Sequence, residues 1–280
     1  MTGDIFCAWR RPLGVVYFAM GWRSLHKASR SAASARLNGG DLIETMLVTD
    51  ERGRRFANAS AFNAIRVLEA AVAVPEFEAT RAVSGSGGAA ALRALRASKV
   101  DAIRAGLEAY ERVVFLDADT YVCRSLRPVI CALEPPAIAA FAPVDVGREH
   151  GAALLRGRWR VPRGAREPNT GVLAVRNDTA ALALMDAWRQ AYDEIGFFMD
   201  QPALRAALHA TGAPHGLLSF QFNCRGHQRR PPRATSAHVT AVPLRCRGFD
   251  RLDGRVQTRL NGGAGCVVLH SHDIREPFPP

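Results

Sequence analysis

The sequence predicts a single-domain α/β fold over residues 1–280, with a mostly parallel central sheet flanked by helices. Three stretches predict it. Val113, Val114, Phe115 and Leu116 form a short apolar run rich in β-branched and aromatic residues, the pattern of a strand buried on both faces. Residues 14–19, 22–37 and 44–50 read as strand, helix and strand, the opening of a right-handed βαβ unit. Residues 265–270 read as a last buried strand ending in His270. With 48% hydrophobic residues the chain is globular, and no internal repeat or long linker divides it.

The elements follow in order. The first strand carries Tyr17, Phe18 and Ala19 at its end, and Leu25, Ala28, Ala32 and Ala35 give the next helix an apolar stripe. The second strand ends in Thr49 and Asp50, where Asp50 is placed to cap a helix or turn. A third strand falls near residues 65–68. Residues 84–88, Ser-Gly-Ser-Gly-Gly, read as a flexible loop before a helix over 89–107. On that helix Arg93, Arg96 and Lys99 lie close to one face, either an exposed basic surface or one that reaches a diphosphate. Residues 126–133 read as helix and 137–141 as strand. Residues 147–164, rich in Arg and Gly, read as a mobile loop that covers a ligand. Asn169, Thr170 and Gly171 form a turn that opens a strand over 172–175, and Gly171 permits close backbone approach. A helix over 179–192 follows. Asp200 is then placed to cap the next helix, with Pro202 in its first turn. Residues 217–223 read as a strand-like segment ending in Asn223.

Charge and cysteines bound the function. The net charge of +11 fits an anionic partner or a basic, soluble surface. The arginines are scattered, and zinc-finger spacing, RNP-like aromatics and a basic helix are all missing, so nucleic acid is not expected. A phosphate-bearing substrate or an anionic membrane surface fits the charge. The six cysteines contain no C-x-x-C pair, which argues against zinc. No secretory signal stands out, and no stretch approaches the roughly 20 apolar residues of a membrane span. The expectation is a cytoplasmic protein or one peripherally bound to an anionic membrane, with reduced thiols.

Chemistry concentrates at Asp117 and Asp119. They stand at the end of the central strand, and ligands of open α/β sheets bind outside the carboxyl ends of the strands. Two carboxylates separated only by Ala118 repel each other unless a cation lies between them. Hard oxygen ligands of this kind suit Mg²⁺ or Mn²⁺ shared with a substrate's phosphates. An Asp-rich turn without a ligand is the alternative.

Lys99, followed by Glu111-Arg-Val-Val-Phe-Leu-Asp-Ala-Asp-Thr120, resembles the Asp-x-Asp region of the nucleotide-sugar glycosyltransferases that share the GT-A fold, a Rossmann-like architecture. The resemblance is to the family 8 branch, the glycogenin-like and lipopolysaccharide galactosyltransferase-like enzymes. Asn169-Thr-Gly-Val-Leu173 resembles that family's Asn-Thr-Gly element, with Pro168 in place of an aromatic. Asp200-Gln201 resembles its Asp-Gln element. His270, Pro277 and Phe278 match its C-terminal element, but Asp273 replaces a glycine and Glu276 stands where a lysine belongs.

The resemblance implies transfer of a sugar from a nucleotide-diphosphate-sugar donor to an unnamed acceptor, with retention of anomeric configuration. It implies that Asp117, Asp119 and His270 hold Mn²⁺ or Mg²⁺, with His272 as the alternative ligand. Tyr17, Phe18, Ala19 and Asp50 would hold the base and ribose. Lys99, Asp117, Asn169 and Gly171 would contact the rest of the donor, and Asp200 and Gln201 would be catalytic. Arg275 would take the diphosphate contact of the missing lysine, with Lys99 or Arg96 as the alternative. Two other readings stay open: Asp200 as the base of an inverting reaction, and a catalytically silent nucleotide-sugar or glycan-binding protein. Met20-Gly-Trp-Arg-Ser24 lacks the glycine-rich phosphate loop of sugar nucleotidyltransferases, which share a related fold, and so excludes them.

Overall fold

The computed structural model describes residues 11–68, 86–143, 155–162, 165, 167–196, 199–225 and 267–270. β1 (Leu13–Phe18), α1 (Trp22–Asn38) and β2 (Ile43–Thr49) form the βαβ unit, with Leu13 beside Ile43 and Phe18 beside Val48 in parallel register. A short α2 (Glu51–Phe56) leads to β3 (Ala64–Val67), parallel to β2 and at the sheet edge. The long α3 (Ser86–Ala109) returns the chain to β4 (Arg112–Leu116), which pairs with the other side of β1.

After β5 (Thr120–Val122) and α4 (Arg127–Cys131) come β6 (Ala139–Pro143), β7 (Pro168–Arg176), α5 (Thr179–Ile195), α6 (Gln201–Thr211) and β8 (His215–Leu217). The large sheet runs β3-β2-β1-β4-β7-β6-β8, and within it only β7 is antiparallel to its neighbours. Two short strands, β9 (Cys224–Arg225) and β10 (Val268–His270), join β5 in a separate three-stranded sheet.

Strand alternation divides the core in two. Leu13, Val15 and Tyr17 of β1 pack with Leu25, Ala28 and Ala32 of α1. Val16 faces the opposite layer, with Ile103 of α3, Trp188 of α5 and Leu204 of α6. Helices on both faces explain why β4 reads as a continuous apolar run: all five of its residues are buried.

Several boundaries differ from the sequence reading. Ser86, Gly87 and Gly88 are the start of α3 and not part of a flexible loop. Asn169, Thr170 and Gly171 lie within β7, which begins at Pro168, and do not form a turn before it. Residues 217–223 divide into the end of β8 and a 3₁₀ turn, Phe220–Asn223. Among the described residues the last strand is Val268–His270, and it belongs to the small sheet.

Within the expected covering loop, residues 155–162 are packed against the body. Leu155 and Trp159 are buried in the core, and the Trp159 indole N–H donates to Glu194 at 2.7 Å. The neighbouring residues 147–154 lie outside the described residues. The thiols are also not reduced: Cys123, Cys131 and Cys224 each form a disulfide.

Candidate active site

Four elements deliver charged side chains to the carboxyl end of β4. Asp117 follows Leu116 directly, and its backbone N–H donates to the Gly171 carbonyl of β7. The chain then turns, with the Thr120 N–H and hydroxyl both donating to the Asp117 carbonyl, at 3.1 and 2.8 Å. This turn holds Asp119 next to Asp117 and starts β5. β10, antiparallel to β5 with His270 opposite Thr120, brings in His270 from the far end of the chain.

Asp117, Asp119 and His270 offer ligand atoms that all lie within 4.8 Å of one another. His270 Nε2 is 3.2 Å from Asp119 Oδ1 and 3.7 Å from Asp117 Oδ2. The other ring nitrogen, Nδ1, is 3.0 Å from the Asn223 side-chain oxygen. Nδ1–H can donate to that oxygen, which orients the ring so that Nε2 faces the carboxylates. Such an arrangement suits a divalent cation. Octahedral ligands at about 2.1 Å from a metal are about 3 Å apart, close to the spacing here. A carboxylate-rich set with one imidazole fits Mg²⁺ or Mn²⁺.

Beside this cluster, Lys99 of α3 is buried between two acids. Its Nζ lies 2.9 Å from Asp117 Oδ1 and 2.8 Å from Asp200 Oδ2, and 5.1 Å from the Phe115 ring centroid. Burial alone would lower the Lys99 pKa, but the charges of Asp117 and Asp200 outweigh it and raise it. Burial would raise the pKa of Asp200, but Lys99 and a hydrogen bond from Thr170 hold it below the usual carboxylate value.

Asp200 occupies the N-cap position of α6, yet its side chain makes no capping bond. Its carbonyl accepts the Trp188 indole N–H at 3.2 Å. Next to it the Gln201 side-chain oxygen and the Asn169 side-chain nitrogen are buried, with no hydrogen-bond partner among the described residues. Buried amide groups left in this way are costly, which points to a ligand that satisfies them. Asn169 uses its oxygen to accept the Gly171 N–H at 2.8 Å, leaving the NH₂ for that purpose.

The structure thus brings Lys99, Asp117, Asp119, Asn169, Gly171, Asp200, Gln201 and His270 to one place. Tyr17 lies elsewhere: it is fully buried, edge-on to Phe62, and its hydroxyl accepts from Ser31. Phe18 is half-buried and Ala19 buried. Asp50 caps α2, accepting the Gly53 N–H at 2.6 Å. Arg275, His272 and Glu276 lie outside the described residues. Sequence reading did not single out Thr170 or the orienting role of Asn223. Asn223 was visible only as the end of a strand-like segment.

No family model matches the chain, and no curated protein matches it. Solved structures do. Mouse xyloside xylosyltransferase 1 matches with a TM-score of 0.55 at 16% identity, over 96% of this chain and 99% of that one. LgtC, in a form with an active-site Gln-to-Glu substitution, matches with a TM-score of 0.54 at 16% identity, over 92% of this chain and 87% of that one. The bifunctional glycosyltransferase WbbM matches with a TM-score of 0.57 at 11% identity, over 99% of this chain and 48% of that one. The chain has the GT-A fold of these glycosyltransferases.

Two measurements probe the geometry. A Cβ on Gly171 would sit 2.5 Å from His270 Cε1 and 2.6 Å from Asp117 Oδ2, well inside contact distance. Gly171→Ala should therefore displace the ligand cluster and weaken Mn²⁺ binding by at least about tenfold, the scale of disturbed metal-site support. Calorimetric titration with Mn²⁺ reads this directly.

The Lys99–Asp200 pair sets a pH window. Asp200 contributes stability above the unfolded-chain value near 3.9, and loses it as pH falls through its lower folded value. Lys99 contributes stability in full below about 10.4, and loses it as pH rises through its higher folded value. The stability gap between the wild type and Lys99→Met, from urea unfolding, should be flat from about pH 5 to 9 and narrow on both sides. A gap unchanged at the acid end would contradict a charged Asp200.

Proposed function

We propose that this chain is a metal-dependent glycosyltransferase that moves a sugar from a nucleotide-diphosphate-sugar donor to an acceptor. The observation that carries the reading is the convergence of Asp117, Asp119 and His270 with a buried Lys99–Asp200 pair and the unsatisfied amides of Asn169 and Gln201. Asp117, Asp119 and His270 would hold Mn²⁺ or Mg²⁺, and such an ion stabilises the charge on a departing diphosphate. Lys99 pairs with Asp117 and holds Asp200 as a carboxylate. Asn169 and Gln201 offer a donor and an acceptor to sugar hydroxyls, and Gly171 leaves room for the ligand. The strand-end backbone at Phe18 and Ala19, with Asp50, remains the proposed seat of the base and ribose, with Tyr17 beneath it.

Retention is favoured over inversion. Asp200 is buried, paired with Lys99 and held at a lowered pKa, which makes it a poor general base. The proposed compartment changes. Disulfides persist where the environment oxidises, so Cys123, Cys131 and Cys224 favour such a compartment over the cytoplasm. Among the described residues no helix is long and apolar enough to cross a membrane.

Contact with an anionic membrane is supported by the outer face of α1 and α2. There Trp22, Leu37 and Phe56 are 60%, 77% and 63% exposed, alongside the cations Arg30 and Arg36. Aromatic side chains and basic residues together are the pattern of an interfacial surface.

The test is release of nucleoside diphosphate from a panel of nucleotide sugars with Mn²⁺ and no acceptor. Asp119→Asn should lower the hydrolysis rate by at least about a hundredfold, the loss expected for about 3 kcal/mol of charge stabilisation. Thermal unfolding should stay close to the wild type, since Asp119 is at a strand end. Donor binding without hydrolysis by the wild type would instead favour a silent binding protein.

A further inference from the structure

Both halves of the metal cluster refer to one short strand. Asp117 and Asp119 lie on the turn that enters β5, and Thr120 closes that turn through its N–H and hydroxyl, which both donate to the Asp117 carbonyl. His270 lies on β10, directly opposite Thr120 in the β5–β10 ladder. β5 therefore sets the spacing between the carboxylates and the imidazole. Yet β5 has only three residues, and among the described residues it shares no ladder with the seven-stranded sheet.

Helix α1 fixes β5 to the body, along the edge that β10 leaves open. The Val122 N–H donates to the Ser34 hydroxyl at 2.9 Å, and the Asn38 side-chain amide donates to the Val122 carbonyl at 2.8 Å. Residues i and i+4 of a helix lie on one face, one above the other. Ser34 and Asn38 thus satisfy the donor and the acceptor of a single strand residue, as a neighbouring strand would. Closer to the start of α1, the Ser31 hydroxyl oxygen is 2.8 Å from that of Thr120. The Ser34 hydroxyl also donates to the Ser31 carbonyl at 2.6 Å. Ser31 and Ser34 are buried on a helix face otherwise made of Leu25, Ala28, Ala32 and Ala35. Hydroxyls in such a place are costly unless bonded, and here their bonds reach the strand that carries the metal site. Ser29 makes the contrast: it is also buried on α1, but its hydroxyl donates to the Leu25 carbonyl of its own helix.

We propose that Ser31, Ser34 and Asn38 are positioning residues for the metal centre: they hold β5 against α1, and so keep the Asp117–Asp119 turn in register with His270. The proposal rests on the metal reading above. The three act through Thr120 and Val122 and not on the ion itself. A satisfied buried polar network specifies one arrangement of the elements it joins. Groups that orient metal ligands from behind commonly change metal affinity by about 10- to 100-fold.

The experiment compares the full chain with Ser34→Ala, Asn38→Ala and the Ser31→Ala/Ser34→Ala pair, with Ser29→Ala as a control on the same helix. Alanine is the best helix former, so α1 itself is retained. Two readouts are taken: Mn²⁺ affinity by calorimetry, and metal-free amide hydrogen exchange of β5 and β10 against β1 and β4. The expected result for the three test variants is Mn²⁺ affinity weaker by about 10- to 100-fold and faster exchange at Val268–His270, with β1 and β4 still protected. Val122 should also exchange faster in Asn38→Ala, where the Ser34 bond to its N–H is untouched. Ser29→Ala should match the wild type in both readouts. Unchanged β10 exchange in all three variants would overturn the proposal, as would unchanged Mn²⁺ affinity despite release of β10. Loss of protection in β1 and β4 in step with β10 would also overturn it, since that marks a general loss of stability. If the wild type bound no Mn²⁺ but the variants still released β5 and β10 alone, the metal reading would fail and the anchoring of β5 by α1 would stand.

Discussion

The site depends on one buried ammonium. Lys99 lies between Asp117 and Asp200, and through these contacts α3, the end of β4 and the start of α6 meet at a single charge. The buried Asp200 would not tolerate that position alone. Removing one partner of a buried ion pair typically costs about 3–5 kcal/mol, a large part of the roughly 5–15 kcal/mol that holds a domain together. A well-packed apolar group can often replace such a pair at no loss of stability. What an apolar group cannot supply is a fixed electrostatic arrangement that needs no reorganisation when a charged ligand arrives. Asp117 uses Oδ1 for Lys99, which leaves Oδ2 directed toward His270.

Much of this was legible in the sequence because it followed from local pattern. The apolar run before Asp117 identified a buried strand, and the βαβ opening identified a parallel sheet. Misreadings came where distant contacts override local preference. Asp200 sits where a capping residue should, but its carboxylate reaches Lys99 instead, and the cap bond is not made. Ser86 to Gly88 have a loop composition but lie in α3. Asn169 and Gly171 have the composition of a turn, yet they sit in β7, where the Asn169 side chain accepts the Gly171 N–H. Cysteine spacing carried no signal of pairing, because the disulfides depend on which strands meet in the fold and not on sequence separation.

The role of Lys99 itself shows where sequence reasoning stops. Its spacing with Arg93 and Arg96 was compatible with an exposed basic helix face, and only the packing separates these possibilities. Lys99 is buried on the sheet side of α3, whereas Arg96 is half-buried. Helical periodicity locates a face, but the depth of a residue on that face is decided by what lies opposite. Here that is Phe115, whose ring lies under the ammonium.

The two halves of the site face different energetic problems. The ammonium of Lys99 pairs with Asp117 and Asp200, while the Asn169 NH₂ and the Gln201 oxygen remain buried without partners among the described residues. Each such group costs about 1–3 kcal/mol when unpaired, and the rigid surroundings of β7 and α6 prevent it from turning toward solvent. A ligand that supplies an acceptor to Asn169 and a donor to Gln201 recovers that cost. One lacking either group leaves it in place. Sites of this kind discriminate more strongly against a missing hydroxyl than apolar pockets discriminate against an added methylene. Under the proposed function, selectivity for the sugar would belong to this amide pair, and the charged cluster beside it would govern the phosphate end.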